Sequence, residues 1–383
     1  MSISYRPSSL VYMKNLFLLR VDCYLKKWNL YRSFPIRAAR GGAYYKSQSY
    51  YPEFIKDRKS SFRIWCEQML YLLRYGCFND FYFLYGFDIK GFHKQKDYMF
   101  YDTFFLHREY LNNKNELSLI PVLRDKLLFY CYANALSIPT PKVIGIIENG
   151  VLYQLYDDTA TDLYEYIVKN DFSGFIKSID GECGQGVFVI ETSDGNILVD
   201  DKNVTDESFI SLFKGKGRFI MQEKITNQHP AISALHPQSV NTIRLITIHT
   251  QNDEYVMLPP LLRVGTGGNK IDNWFCGGLA IGIDTSNNCL REYGFRKPTY
   301  GGKVDKHPDT DIVLKGYHIP YLQESISMAI SLHKKFSTVH SIGWDIAITT
   351  DGPVFIEGND NWEISLMQAC SYGLKKEMLQ YFS

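Results

Sequence analysis

Three oxygen-bearing side chains near the C-terminal end of the chain could share a metal ion. Glu357 and Asn359 are two residues apart, so on a β-strand both side chains point to the same side. Asp345 reaches the same level if residues 351–353, Asp-Gly-Pro, turn the chain back between them. Two carboxylates and an amide suit a hard divalent cation such as Mg²⁺. The alternative is that Asp345 and Glu357 are strand-end charges facing solvent.

A β-hairpin over residues 343–359 must position these side chains. Ile346 and Ile348 alternate with smaller residues before the turn, and residues 354–356 form a second apolar run after it. Because both strands are apolar, the hairpin is expected to be buried on both faces. A buried carboxylate needs a partner, which favours the metal interpretation.

A second group of residues could bind an anion. Residues 174–190 predict a strand that ends near Lys177, a loop with three glycines at 181, 184 and 186, and a second strand from Val187. Glycines let a loop bring backbone N–H groups close to a phosphate. A simple hairpin turn is the alternative. Lys126, at a predicted helix start, is not singled out by its charge alone.

Arg244 lies in a predicted strand between Ile243 and Leu245. An arginine among apolar neighbours needs an anion or an acidic partner. Arg263 stands near the end of the following strand, which is predicted over residues 255–264.

Composition excludes several classes of protein. The chain has 383 residues, 45% hydrophobic and 22% charged, as in globular proteins. None of its eight cysteines form a C-x-x-C pair, which argues against zinc ribbons and disulfide scaffolds and fits a reducing compartment. No run approaches the 18 apolar residues of a membrane span. The start of the chain lacks the layout of a signal peptide, so we expect a cytoplasmic protein.

The small net charge conceals an asymmetry. Residues 1–63 carry thirteen Lys or Arg against three acids, a net +10, so the remainder carries −9 within the total of +1. A basic arm of this kind either attracts an anionic partner or docks on the acidic remainder. The first alternative predicts a positive surface that opens toward the Arg263 side of the site, formed by Lys26, Lys27, Arg32, Arg37 and Arg40.

Hydrophobic periodicity and the positions of helix- and strand-breaking residues predict the remaining secondary-structure elements. A helix with one apolar face begins near Ser60, and another helix is expected over 123–136. Strands are expected over 143–147, 219–225, 240–248 and 279–283, with a helix over 320–336 and a helical tail over 365–382. Together these indicate an α+β protein.

The pieces, in this order, resemble the ATP-grasp superfamily, and within it the branch called sugar-transfer-associated ATP-grasp. The resemblance covers residues 115–365 and rests on the order of short motifs rather than on any one of them. These include residues 176–177 with the glycine loop, 222–225, 239–244, 272–273 with 277–278, and the acidic hairpin.

The resemblance implies an ATP-grasp fold with nucleotide held between two α+β lobes. Residues 1–115 would be a basic, mostly helical addition and 116–383 the catalytic region, divided into lobes at 116–225 and 226–383. It also implies roles for individual residues. Lys126 and Lys177 would hold the ATP phosphates, covered by the loop that contains Gly184 and Gly186. Glu223 and Ile225 would surround adenine, with His229 on the ribose side, and Arg244 would act in catalysis with Lys177. Arg263 and Asn273 would contact substrate, and the Mg²⁺ ligands would be Asp345, Glu357 and Asn359.

The resemblance further implies an ATP- and Mg²⁺-dependent ligase that joins a carboxylate to an amine through an acyl phosphate. The expected setting is polysaccharide biosynthesis, with an amino acid or amine added to a sugar acid of a capsule or O-antigen. The expected partners are a carboxylate-bearing small molecule or glycan and an amine, without nucleic acid or a membrane span, although peripheral membrane contact is allowed. Two alternatives stay open: a phosphotransferase or ligase for another small acid, and a non-catalytic nucleotide-binding component of a glycan assembly complex.

Overall fold

The computed structural model describes residues 49–75, 78–112, 118–157, 159–181, 186–193, 195–270 and 272–382. Two sequence predictions fall outside these ranges. They concern the basic residues Lys26, Lys27, Arg32, Arg37 and Arg40, and Gly184 in the glycine loop.

The first of two antiparallel sheets is built from the N-terminal half of the described chain. Its strand order is β3-β2-β1-β8-β4-β5-β6-β7. The strands are β1 (Val143–Glu148), β2 (Val151–Gln154), β3 (Ala160–Asp162), β4 (Gly174–Ser178), β5 (Val187–Ser193), β6 (Asn196–Val199), β7 (Lys202–Val204) and β8 (Arg218–Glu223). The predicted strand, glycine loop and strand are confirmed as β4 and β5, which pair antiparallel with Lys177 opposite Val187.

The second sheet has the order β14-β13-β12-β11-β9-β15-β16, with β10 paired to β9. Its strands are β9 (Thr242–His249), β10 (Tyr255–Met257), β11 (Leu261–Val264), β12 (Leu279–Asp284), β13 (Cys289–Phe295), β14 (Lys303–Val304), β15 (Ser341–Thr349) and β16 (Gly352–Asn359). The strand predicted over 255–264 is wrong in extent. It is divided into β10 and β11 around Pro259 and Pro260, because proline cannot donate to a strand ladder.

Helices cover the sheets, and two of them lie in the described part of the N-terminal region. They are α1 (Ser61–Tyr75), α2 (Tyr101–Asn112), α3 (Ile120–Arg124), α4 (Lys126–Ala135), α5 (Leu163–Lys169), α6 (Asp206–Ser211), α7 (Pro230–Ser233), α8 (Leu322–His333), α9 (Ile364–Cys370) and α10 (Lys375–Phe382). Short 3₁₀ turns lie at Pro52–Asp57, Gln95–Asp97, Trp274–Cys276, Pro298–Tyr300 and Lys334–Phe336.

The helix predicted over 123–136 has a later start than expected. Asp125 interrupts it, and its side chain accepts hydrogen bonds from the backbone N–H groups of Leu127 and Leu128, each at 2.9 Å. An aspartate in this position caps a helix, so Lys126 becomes the first residue of α4. The tail predicted as one helix is likewise two helices, α9 and α10.

The hairpin of β15 and β16 is confirmed, and its first strand lies deep in the second sheet. Every residue of β15 is buried, since β9 pairs on one side and β16 on the other. Asp345 stands opposite Glu357 on β16 and opposite Arg244 on β9. The sheet therefore places one acidic residue between a second acid and an arginine.

Apolar cores on both sides of the second sheet fix this hairpin. One core packs α8 and α3 against the sheet, with Trp344 and Phe355 at its centre. The other joins the opposite face to the N-terminal region, where Phe104 of α2 packs on Trp362 with ring centroids 4.6 Å apart. Among the described helices, none combines the length and apolar character needed to cross a bilayer.

Candidate active site

A cavity of about 360 Å³ has walls from both sheets. Lys177 and Gln222 line it from the first sheet, and Arg244, Asp345 and Glu357 line it from the second. The two groups of residues singled out from the sequence, one cationic and one acidic, therefore face the same space.

Asp345 is the centre of a buried charge network. It is 5% exposed, and both of its oxygens accept hydrogen bonds from Arg244, Oδ1 from Nε at 2.5 Å and Oδ2 from Nη2 at 2.8 Å. Arg263 Nη1 donates to Oδ2 at 3.0 Å. Burial alone would raise the pKa of Asp345, but the two arginines outweigh it and lower the pKa from 3.8 to about 2. Asp345 is therefore an anion at neutral pH.

Glu357 and Asn359 complete the acidic end of the hairpin. Asn359 Nδ2 donates to Glu357 Oε1 at 3.1 Å, and the Glu357 side chain is close enough to Asp345 to influence its pKa. Because Asn359 donates through Nδ2, its side-chain carbonyl oxygen could serve as a metal ligand. Among the described residues, Asp345 Oδ1 accepts from one arginine, Arg244. Two adjacent carboxylates and an amide oxygen match the ligands of a hard cation such as Mg²⁺.

Within the described residues, no three Asp, Glu, His or Cys side chains lie together as a metal cluster. The third protein ligand of a cation at the hairpin would therefore be the amide oxygen of Asn359. A bound Mg²⁺ would supply positive charge to the oxygens of a phosphate.

Lys177 reaches the cavity from the end of β4. Its Nζ donates to Gln222 Oε1 at 2.7 Å and lies 5.0 Å from the centre of the Phe175 ring. Burial is the main cause that lowers the pKa of Lys177 from 10.5 to about 8. The positive charge of Lys126 acts in the same direction, while the carboxylates of the hairpin oppose it. A lysine held without an ion pair among the described residues is ready to receive an anion.

Lys126 approaches the same cavity from the first turn of α4. Its Nζ donates to the carbonyl oxygen of Gly181 at 2.6 Å, which ties the helix to the start of the glycine loop. At the other end of this loop, Gly186 has a φ of +67°, and a Cβ there would lie 3.0 Å from Ser178 Cβ. Glycine is required at position 186 both for its backbone conformation and for this approach.

Arg263 is held by acids on two sides. Besides Asp345, Asp272 Oδ1 accepts from Arg263 Nη2 at 2.7 Å, and Asp272 Oδ2 accepts from the Thr242 hydroxyl. Burial would lower the pKa of Arg263, but the neighbouring carboxylates raise it above its usual value. Arg263 Nε is buried without a hydrogen-bond partner among the described residues. The network fixes Arg263 as a cation in the cavity wall.

Lys270 connects the two sheets. It lies in the loop after β11, and its Nζ contacts Glu191 Oε2 at 2.8 Å and Asp201 Oδ1 at 2.6 Å. Glu191 is on β5 and Asp201 precedes β7, so both acids belong to the first sheet. Lys270 also lines the cavity. This interaction, called the interlobe clasp below, holds one edge of the cavity closed.

The remaining predicted site residues are divided between the cavity and its surroundings. Glu223, Ile225 and Asn273 line the cavity. His229 is not among the lining residues; its Nδ1 accepts from the Ala231 N–H at 3.1 Å and caps the short helix α7. Its role toward ribose, like the roles of the other site residues, stays a prediction.

Several residues of the site were not singled out by the sequence as functional. Gln222, Asp272 and Lys270 hold or join the charged groups described above. Glu363 and Trp274 also line the cavity. Gln222 and Asp272 lie within motifs that carry the family resemblance, whereas no local pattern marks Lys270, Glu363 or Trp274. The pair Asp272-Asn273 offered the strongest signal, as an acid beside a predicted substrate contact.

Comparison with known families decides the classification. The model of the family described as sugar-transfer associated ATP-grasp matches residues 106–381. This chain belongs to the sugar-transfer associated ATP-grasp family. The ATP-grasp fold expected from the sequence is confirmed, with two antiparallel sheets and a cleft between them.

Similar solved structures are distant from this ATP-grasp chain. An N5-carboxyaminoimidazole ribonucleotide synthetase in its ADP complex is 12% identical, with a TM-score of 0.40 over 65% of this chain and 47% of that one. The D-alanine-D-alanine ligase from Helicobacter pylori is 10% identical, with a TM-score of 0.38 over 68% of this chain and 60% of that one. This chain thus spans about half of each relative. No curated protein matches it.

Proposed function

We propose that this protein is an ATP- and Mg²⁺-dependent ligase that joins a carboxylate to an amine through an acyl phosphate. The observation that carries the proposal is the meeting of Lys126 and Lys177 with the acidic end of the hairpin in one cavity. The lysines suit the phosphates of ATP, and Asp345, Glu357 and Asn359 suit the Mg²⁺ that accompanies them.

The reaction needs positioning and charge more than a protein nucleophile. A carboxylate oxygen of the substrate attacks the γ-phosphorus, and the bond to the bridging oxygen breaks so that ADP leaves. The amine nitrogen then attacks the acyl carbon, phosphate leaves and the nitrogen loses a proton. We assign to Arg244 and Lys177, which both line the cavity, the role of stabilising the charge on the transferring phosphoryl group.

The substrate proposal is a sugar acid of a capsule or O-antigen precursor together with an amino acid or amine. The name of the family supports a role in sugar transfer. Arg263 lines the cavity and is held in its charged form, so its positive charge would favour a carboxylate substrate in the cavity. The proposed setting is polysaccharide biosynthesis in the cytoplasm.

The test measures ADP release from purified protein supplied with MgATP and a panel of uronic acids and amines. A ligase releases ADP only when an acid and an amine are both present, and hydroxylamine replaces the amine by trapping the acyl phosphate. ADP release with the acid alone and no hydroxamate would indicate a phosphotransferase.

A matched binding experiment separates both enzymes from a non-catalytic binder. ATP should raise the melting temperature of the parent, and Lys177→Ala should abolish most of that shift while leaving the nucleotide-free melting temperature nearly unchanged. Equal ATP affinity in the two proteins would contradict the assignment of Lys177.

A further inference from the structure

One part of the cavity wall is formed by the segment that follows the acidic hairpin. Residues 360–363 continue directly from Asn359 at the end of β16, and Asp360, Asn361 and Glu363 all line the cavity. Trp274, Leu366 and Met367 line the same cavity and belong to one apolar cluster with Trp362 and Ile364. A ligand in this compartment would therefore adjoin the reacting end of a nucleotide bound at the hairpin.

Helices of the N-terminal half hold this segment in place. Arg124 forms a two-pronged ion pair with Asp360, Nε to Oδ1 at 3.0 Å and Nη2 to Oδ2 at 2.7 Å. The fully buried Arg108 of α2 donates to the carbonyl oxygen of Trp362 and, at 2.6 Å, to Asn361 Oδ1. Because the backbone is held from two helices, the compartment is formed before any ligand enters.

Glu363 is the acid of this compartment that lacks a close cation. Asp360 is neutralised by Arg124, but within the described residues Glu363 forms no ion pair. Its Oε1 accepts from the Ser365 N–H at 2.9 Å. Burial raises the pKa of Glu363, against hydrogen bonds from the Ser365 side chain and from the backbone amides of Ser365 and Leu366, and against the charge of Arg108. A partly buried carboxylate in this state is stabilised by a cationic ligand.

The other wall of the compartment is apolar. Trp274 is 2% exposed, and its indole N–H is already used by the carbonyl oxygen of Phe295 at 2.9 Å. Leu366 and Met367 are buried beside it. With its N–H engaged elsewhere, Trp274 has only its ring to offer a ligand. A fitting ligand thus combines a positive group with an apolar substituent.

We propose that this compartment binds the amine substrate, with its ammonium on Glu363 and an apolar substituent against Trp274, Leu366 and Met367. The inference rests on the proposed ligase function and names the class of amine that it uses. Arg124 is engaged by Asp360, so the compartment selects for an alkyl ammonium group rather than for an anion.

The test uses n-butylammonium as the probe, followed by saturation-transfer NMR without nucleotide. The uncharged 1-butanol matches its size, and butyrate reverses its charge. Glu363→Gln removes the charge but keeps an oxygen for the Ser365 N–H, so the start of α9 is preserved. Glu324→Gln, on the exposed side of α8, is the matched control.

The parent and Glu324→Gln should bind n-butylammonium in preference to butyrate. Glu363→Gln should bind it at least about tenfold more weakly, which corresponds to roughly 1.4 kcal/mol, while its affinity for 1-butanol changes less than about twofold. Met367→Ala should weaken both probes. The proposal is overturned if the parent fails to bind n-butylammonium or if Glu363→Gln binds it as the parent does. Because no nucleotide is present, neither result bears on ATP binding.

Discussion

Arg244 and Asp345 face each other across the neighbouring strands β9 and β15 and form two hydrogen bonds within the second sheet. They are 101 positions apart in the chain. The pair explains how an arginine flanked by Ile243 and Leu245 is tolerated in an apolar strand. It also keeps Asp345 ionised beside Glu357, as a cation ligand must be.

Replacing Arg244 should destabilise the fold because it leaves a buried carboxylate with fewer partners. Arg244→Met should lower the free energy of unfolding by about 3 kcal/mol, which is at the low end of the range for breaking a buried ion pair. The loss is limited because Arg263 still donates to Asp345. Urea denaturation at pH 7 measures the change. Arg218→Met, on the exposed start of β8, is the control, and adding Asp345→Asn to Arg244→Met should recover part of the loss.

The same pair predicts a pH dependence. The folded-state pKa of Asp345, about 2, lies below the unfolded value of 3.8. The unfolded chain therefore binds more protons in this interval, and the contribution of Asp345 to stability is lost as the pH falls from about 4 to about 2. The difference in unfolding free energy between the parent and Asp345→Asn should shrink over this range. A constant difference would contradict the pairing.

Lys177 should take up a proton when ATP binds at mildly alkaline pH. With a pKa of about 8 it is roughly half protonated at pH 8, and a bound phosphate favours its charged form. Calorimetry in buffers of different ionisation enthalpy should detect uptake of up to about half a proton at pH 8 and almost none at pH 6. At ATP concentrations high enough to saturate it, Lys177→Met should lose this uptake, while Lys214→Met on the surface should retain it.

Glu357 should determine the metal affinity of the acidic hairpin. Glu357→Gln keeps an oxygen that can accept from Asn359 but removes a negative charge from the donor set. Binding of Mn²⁺ in the presence of ADP, followed by electron paramagnetic resonance, should weaken by at least about tenfold. Asp351→Asn, at the exposed turn of the same hairpin, should bind Mn²⁺ like the parent. Unchanged affinity in Glu357→Gln would remove this residue from the proposed metal site.

The interlobe clasp should slow nucleotide release. Lys270→Met removes the contacts with Glu191 and Asp201 that join the two sheets. Stopped-flow fluorescence should show a fluorescent ADP analogue leaving about tenfold faster, a change of roughly 1.4 kcal/mol in the barrier. Lys224→Met is the matched control, since Lys224 Nζ approaches Glu191 Oε1 at 3.6 Å but follows β8 of the same sheet. Equal release rates in the two variants would refute the clasp.

The sequence predicted the parts of the site that depend on contiguous residues. The hairpin, its burial on both faces and the strands around the glycine loop follow from apolar alternation and turn residues, which act over a few positions. The need of Arg244 for an anionic partner was also predicted. Its identity was not, because strand pairing across 101 positions depends on the whole sheet.

Contacts between distant segments could not be predicted from local sequence patterns. The residues next to Lys270 in the sequence indicate an ordinary solvent-exposed lysine. Only the packing of the two sheets brings it into contact with Glu191. The contacts of Arg108 could not be predicted for the same reason. An arginine in a helix is ordinarily exposed, and no local pattern of α2 indicates that this one is completely buried. The division of 255–264 into two strands was, by contrast, readable from Pro259 and Pro260.

The Arg108 contact also constrains the order in which the protein can mature during synthesis. Its partners Asn361 and Trp362 leave the ribosome about 250 residues after it, whereas Glu109, which pairs with Arg108 at 3.1 Å, is its neighbour in the chain. Until residues 361 and 362 are made, the guanidinium lacks two of its hydrogen bonds, which opposes its burial. The cavity wall that these residues form is consequently among the last features to form, and a chain released early would lack it altogether.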